Sequence, residues 1–163
     1  MIHKSAMPEA VYQAVVAAPG FALGVRCNAD EIIEIEFLPP RPEIAPIGLL
    51  AQESVRQLHA WLQDPHFVFA LPLAPAGTPF QRRVWAQISA IPCGQTRHYA
   101  DLANALHSAP RAVGGACGAN PYPLIVPCHR VVAKHGGLGG FNRARDGLLL
   151  EIKHWLLARE GVR

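Results

Sequence analysis

A thiol and an imidazole stand side by side at Cys128-His129, enclosed by Pro127 and Arg130-Val131 and preceded by the apolar run Leu124-Ile125-Val126. A thiol is only slightly ionised near neutral pH, and an adjacent imidazole that takes up its proton turns it into a strong nucleophile. Pro127 fixes φ and removes one backbone donor, which suits a sharply held turn at the end of a strand. Taken alone, a buried cysteine is more often an inert small hydrophobe. The pair therefore acquires meaning only from the elements that position it.

Before it, Phe80 to Ile88 reads as a helix burying Phe80, Val84, Trp85 and Ile88, capped near Thr78 and started by Pro79. Tyr99 to Leu106 reads as a short helix that His107-Ser108-Ala109-Pro110 breaks, and a second short helix begins near Arg111, a helix-turn-helix pattern. That second helix, Arg111-Ala112-Val113-Gly114-Gly115-Ala116-Cys117-Gly118-Ala119, holds interior glycines that each cost about 1 kcal/mol relative to alanine. Two readings offset that cost: close packing against a neighbouring helix, the commoner reason, or close approach to a nucleic-acid backbone. One long cation, Arg111, on a nearly bare helix fits a groove entered for shape, with the arginine filling the place of an expelled base. A helix with so few Asn, Gln, Arg or Lys side chains reads little sequence.

The first half is organised differently. Ile33, Ile35 and Phe37 alternate with Glu34 and Glu36, the period of a strand with one wet face, and Ala22 to Arg26 is its hairpin partner across Asn28-Ala29-Asp30. The prolines at 39, 40, 42 and 46 exclude regular structure before a helix over Ile47 to Gln63, and Leu71 to Pro79 is the linker.

With 163 residues, half of them apolar, the chain can bury a core of one ordinary domain or two small ones. A net charge of +3 permits contact with nucleic acid without requiring it. Cys27, Cys93, Cys117 and Cys128 form no Cys-x-x-Cys pair, no Cys/His spacing is typical of zinc, and Met1 to Gly20 has no charged segment followed by a long apolar core. These features imply a reduced, intracellular, cytoplasmic protein. No apolar stretch approaches the roughly 18 to 20 residues that span a bilayer, so no membrane partner is expected.

Thr78 to Trp85, Ile91-Pro92-Cys93-Gly94-Gln95-Thr96, Tyr99, Arg111-Ala112-Val113-Gly114, Asn120-Pro121 and Pro127-Cys128-His129-Arg130-Val131 occur in the order of one family. In these the chain resembles the O6-alkylguanine-DNA alkyltransferases, or methylated-DNA-protein-cysteine methyltransferases, well over Gly77 to Glu160 and only loosely over Met1 to Leu73. The resemblance implies an α/β protein: a small ribonuclease H-like α/β domain over residues 1–73, and a winged-helix-like DNA-binding domain over 74–163 that carries the active site. It implies Cys128 as the alkyl acceptor, His129 acting on the thiol through a water, Glu160 polarising His129, Tyr99 donating to the base and Asn120 bracing the turn. Arg111, Ala112, Gly114, Gly115 and Gly118 would meet DNA, and Tyr99, Val131 and Asn142 would surround the flipped guanine. The partner implied is double-stranded DNA containing O6-alkylguanine, met by a monomer without metal or cofactor. Transfer to sulfur gives a thioether that water does not cleave, so each molecule would act once. Two rivals are a base-flipping damage recogniser without alkyl transfer and a cysteine hydrolase using the same Cys128-His129 pair. The interval from Tyr99 to Arg111 is shorter than the family's pattern, and Asn142 to Leu150 is longer.

Overall fold

The computed structural model describes residues 12–134, 137, 139 and 147–162, and the chain divides into two compact units, Met1–Ala74 and Pro75–Arg163. The first is an antiparallel sheet in the order β1 (Ala14–Ala18), β2 (Phe21–Cys27), β3 (Ile32–Leu38), with helix α1 (Leu49–Gln63) packed on β1 and β2. The strand β1 has no counterpart in the sequence reading. Its residues, Ala-Val-Val-Ala-Ala, are apolar on both faces over most of the strand and show no alternation to detect. The alternation expected of Ile33, Ile35 and Phe37 fails at its first member. A bulge between Arg26 and Cys27 pairs Arg26 with Glu34 but Cys27 with Ile32, so Ile32 takes the interior place and Ile33 is left exposed.

The expected linker is also shared. Pro72 accepts from Ile32 N at 2.8 Å and Ala74 donates to Ile32 O at 2.9 Å, so its first residues run along the start of β3 and belong to the first unit.

The second unit begins with α2 (Pro79–Ser89), capped by a reciprocal Thr78–Gln81 box and started by Pro79. Strand β4 (Arg97–His98) leads directly into α3 (Tyr99–Ala105), which ends where Ser108 N donates to Ala103 O and His107 N to Asn104 O, with His107 at φ 55. These are the bonds of a left-handed helix terminus. Pro110 then opens α4 (Pro110–Gly118), whose Val113, Ala116 and Cys117 are buried. The Trp85 indole of α2 donates to Ala116 O at 2.8 Å, fixing α4 against α2. After a 3-10 turn at Cys128–Arg130, β5 (Val131–Val132) pairs parallel with β4, Arg97 opposite Val131. The last helix, α5 (Leu148–Arg159), packs on that turn. No helix among the described residues is long and apolar enough to cross a membrane.

Candidate active site

The site is built on the turn between α4 and β5. Asn120, buried just beyond α4, accepts from Tyr122 N at 2.8 Å and donates to Val126 O at 2.9 Å and to Cys128 Sγ at 3.2 Å. Its amide thus closes the loop Asn120–Val126 and reaches the sulfur in one step. Pro127, at φ −81 and ψ 66, is the centre of an inverse γ-turn in which Cys128 N donates to Val126 O at 2.8 Å. The ring pre-sets that φ, which is why a proline precedes the cysteine. Leu124, buried at φ 78, adds a strained residue to the same loop, as occurs where surrounding contacts over-determine a functional site.

His129 and Glu160 have side chains with no accessible surface, and His129 Nε2 lies 2.8 Å from Glu160 Oε2. Arg130 grips the same carboxylate twice, Nε to Oε1 at 3.0 Å and Nη2 to Oε2 at 2.9 Å, and its Nη1 donates to Ile91 O at 2.7 Å. Burial pushes the Glu160 carboxyl upward, but bonds from His129 and Arg130 and their charges outweigh it and bring the group down to about 2. An ionised Glu160 accepts only, so Nε2 of His129 carries the proton and Nδ1 keeps its lone pair. Nδ1 is the buried side-chain nitrogen among the described residues that meets no hydrogen-bond partner. Burial lowers the His129 pKa, against the pull of Glu160, and the ring is neutral at pH 7.

Both groups make the fold acid-sensitive. The folded form refuses a proton at His129 that the unfolded chain takes up below its ordinary 6.5, so that stability is present above 6.5 and is lost as pH falls. Glu160 adds a contribution present above its ordinary 4.5 and lost as pH falls from there towards about 2. Urea unfolding at stepped pH is expected to show a decline starting below about 6.5 and a second, on the order of 2–3 kcal/mol, below about 4.5. Glu160→Gln is expected to remove the second stage. A Glu160→Gln profile parallel to the parent's through that range would contradict this account of the carboxylate.

The Cys128 thiol does not rest as the thiolate that its histidine neighbour leads one to expect. Cys128 is 2% exposed, and the hydrogen-bonded Cys117 thiol, then burial, push it well above the ordinary range, while Asn120 and Lys153 act the other way. Cys117 moves down because the same hydrogen bond favours its charge, assisted by Lys153 against burial. Lys153 has no accessible surface. Its Nζ donates to Val131 O at 2.8 Å and lies 5.8 Å from the Tyr99 ring centroid, and burial lowers it to about 8 against the pull of the two thiols.

Tyr99, half-buried at the start of α3, enters the site through the β4–β5 pairing, which sets the residue before it beside the strand leaving the Cys128 turn. Gly139, at φ 74, lies so close that an added Cβ would stand 2.7 Å from Tyr99 Cε2. Val131 is buried with its carbonyl on Lys153. Asn142 lies outside the described residues.

On α4 the residues expected to meet DNA are apart from this interior. Arg111, Ala112 and Gly115 are exposed, and Gly114 and Gly118 partly so. A Cβ built on Gly114 or Gly115 meets nothing within 4 Å. The commoner reading of these glycines, close packing against a neighbouring helix, is therefore overturned. Their bareness serves no contact within the described chain.

Sequence reasoning missed Cys117 and Lys153 and took Arg130 only as part of its block. A signal existed for Cys117, which lies four residues after buried Val113 and three before Asn120, on one helical face. For Lys153 it was its spacing, three and four residues before Leu156 and Leu157 and off the stripe of Glu151 and His154, which puts the ammonium on the apolar face of the helix.

Residues 79–162 match the family model described as 6-O-methylguanine DNA methyltransferase, DNA binding domain. A probable methylated-DNA–protein-cysteine methyltransferase of Acanthamoeba polyphaga mimivirus is 44% identical over 78% of this chain and 80% of its own length. The methylated-DNA–protein-cysteine methyltransferase of Shigella flexneri is 47% identical over 56% of this chain, and the matched part spans about half of that relative, 52%. Among solved structures, Mycobacterium tuberculosis OGT in complex with DNA is similar over 90% of both chains, with 32% identity and a TM-score of 0.75.

Proposed function

We propose that this chain, which belongs to the 6-O-methylguanine DNA methyltransferase family, takes the alkyl group of O6-alkylguanine in double-stranded DNA onto Cys128 in a single irreversible event. The observation that carries this reading is the buried thiol held by Asn120 beside an imidazole whose base nitrogen is set by Glu160. In the reaction the sulfur attacks the alkyl carbon in line as the bond from that carbon to guanine O6 breaks. The thiol proton passes through a water to Nδ1 of His129, oriented by Glu160, while Tyr99 supplies a proton to the departing base. Because Cys128 is neutral at rest, proton removal belongs to the reaction and not to the free protein. Lys153, the cation that favours charge on both thiols, supports the sulfur as it ionises. The thioether product is not hydrolysed, and one molecule acts once.

A sulfur this buried is reached only by a base taken out of the duplex. In this reading α4 lies in a groove, its bare glycines allow the backbone near the nucleic acid, and exposed Arg111 fills the vacated stack. The solved relative in complex with DNA supports the same partner. The unit Pro75–Arg163 is then a winged-helix-like DNA-binding domain, Met1–Ala74 is a ribonuclease H-like α/β domain, and the protein acts as a monomer. The three-stranded antiparallel sheet with its helix and the α3–α4 pair support the two domain readings.

The test is intact mass after mixing with an oligonucleotide containing O6-methylguanine. One added methyl, about 14 Da, located on Cys128 is the expected result. A methyl on Cys93 or Cys117, or repeated turnover of an activated ester, would sink the reading. Arg111→Ala is expected to slow repair of duplex DNA at least about tenfold while leaving reaction with free O6-benzylguanine nearly unchanged; equal losses would argue against an inserted arginine. Gly115→Ala is expected to raise helix stability by about 1 kcal/mol in the free protein yet weaken duplex binding. Thermal melts and a binding isotherm separate the two effects, and unaltered DNA affinity would show that the groove does not approach Gly115.

A further inference from the structure

Cys117 has no part in the transfer set out above, yet its thiol is hydrogen-bonded to that of the acceptor. It lies on the buried face of α4, 7% exposed. Asn120 fixes both sulfur-bearing segments: its backbone N–H donates to Cys117 O at 3.2 Å, and its side-chain amide donates to Cys128 Sγ at 3.2 Å. One segment is a helix held through Ala116 by Trp85, and the other is a turn pinned by Pro127. Two thiols so placed are close enough for one to capture an oxidised state of the other.

We propose that Cys117 and Cys128 form a reversible dithiol–disulfide couple, which hydrogen peroxide closes and a thiol reductant reopens. The Cys117 thiolate attacks a peroxide oxygen. An S–O bond forms and the O–O bond breaks, leaving Cys117 as a sulfenic acid and releasing hydroxide, which with the proton lost from Cys117 makes one water. The sulfur of Cys128 then attacks that of Cys117. The S–S bond forms, the S–O bond breaks, and the departing hydroxide leaves with the Cys128 proton as a second water. Capture at this stage keeps either sulfur from proceeding to the sulfinic acid, which thiols do not reverse. A disulfide at Cys128 has no free sulfur to alkylate, so the couple would hold the acceptor in reserve under oxidative conditions. That consequence rests on the proposed function, whereas the couple itself does not.

The experiment treats the full chain with hydrogen peroxide, blocks remaining thiols under denaturing conditions, and records intact mass and disulfide-linked peptides. A loss of about 2 Da, the two thiol hydrogens, mapped to a Cys117–Cys128 link is expected. Methyl uptake from O6-methylguanine DNA should fall at least about tenfold and return on reduction with dithiothreitol. Cys117→Ser, compared with its own unoxidised activity, should form no link at Cys128 and show no loss of uptake that dithiothreitol restores. A link to Cys27 or Cys93, added oxygen without a link, or the same restorable loss in Cys117→Ser would overturn the proposal. The mapping uses the unsubstituted protein and stands whether or not the variant folds. If the link forms but the reduced protein takes up no methyl, the couple holds and the functional reading fails. If methyl is taken up and no link forms, the couple fails alone.

Discussion

Replacing Glu160 by alanine is expected to lower the free energy of unfolding by about 3–5 kcal/mol and to slow alkyl transfer by two orders of magnitude or more. The carboxylate has no accessible surface and receives three side-chain bonds, one from His129 and two from Arg130. Its removal leaves a guanidinium that is only about a tenth exposed with no counter-charge, the circumstance in which a broken buried ion pair costs most. The imidazole loses its orienting acceptor at the same time, so neither ring nitrogen is assigned the proton and the base at Nδ1 is no longer fixed. Urea unfolding and single-turnover methyl uptake on O6-methylguanine DNA give the two effects separately. Glu160→Gln, which keeps an acceptor for His129 but no counter-charge for Arg130, should recover only part of the stability and little of the rate. If Glu160→Ala unfolds at the parent's urea midpoint, the carboxylate is not the keystone that its contacts describe.

Lys153→Met is expected to do the opposite: to leave stability within about 1–2 kcal/mol of the parent while slowing transfer by roughly a hundredfold. A buried ammonium lowered to about 8 is held in its charged form at neutral pH at a cost to folding. A methionine of similar length removes that cost, and what remains is the unsatisfied Val131 carbonyl. The rate should fall because Lys153 is the cation that favours charge on Cys128 and Cys117, and a preoriented charge in a water-excluded site is worth far more than in solvent. The pH profile distinguishes this from a packing defect. In the parent, the support given by the ammonium is full below about 8 and is withdrawn as pH rises through it. Lys153→Met should lack that transition. A slow variant that retains it would assign the loss to geometry instead.

How far the sequence discloses such a site depends on whether each residue's partners lie nearby in the chain. Pro127 was legible because a φ-restricting residue acts on the position directly after it, Cys128. The α3–α4 break was legible because its bonds join residues three to five apart. Tyr99, Asn120 and Glu160 came from family resemblance, since none shows locally that it meets Lys153, Cys128 and His129 respectively. Cys117 and Lys153 were lost because their meaning depends on what α4 and α5 bury. The bulge that turns Ile33 outward is decided by pairing between two strands, which one strand's alternation does not carry. The glycines of α4 misled for a related reason: a bare helix suits a neighbour inside the protein as well as one outside, and only the empty space around Gly114 and Gly115 separates the two.

The Cys128 turn closes on itself locally, but the ties that hold it to other elements reach far along the chain. His129 and Glu160 are 31 residues apart, Arg130 and Ile91 are 39, and β4 meets β5 over only two residues each. Closing such intervals costs loop entropy before any bond compensates, whereas α2 and the α3 terminus complete themselves from neighbours. The chemical centre is thus expected to be completed late in folding, after α2 and the α3 terminus have formed. Buried as it is, it then opens only with the unit that encloses it, so the amide protons of Arg130 and Val131 are expected to exchange as slowly as those within α2.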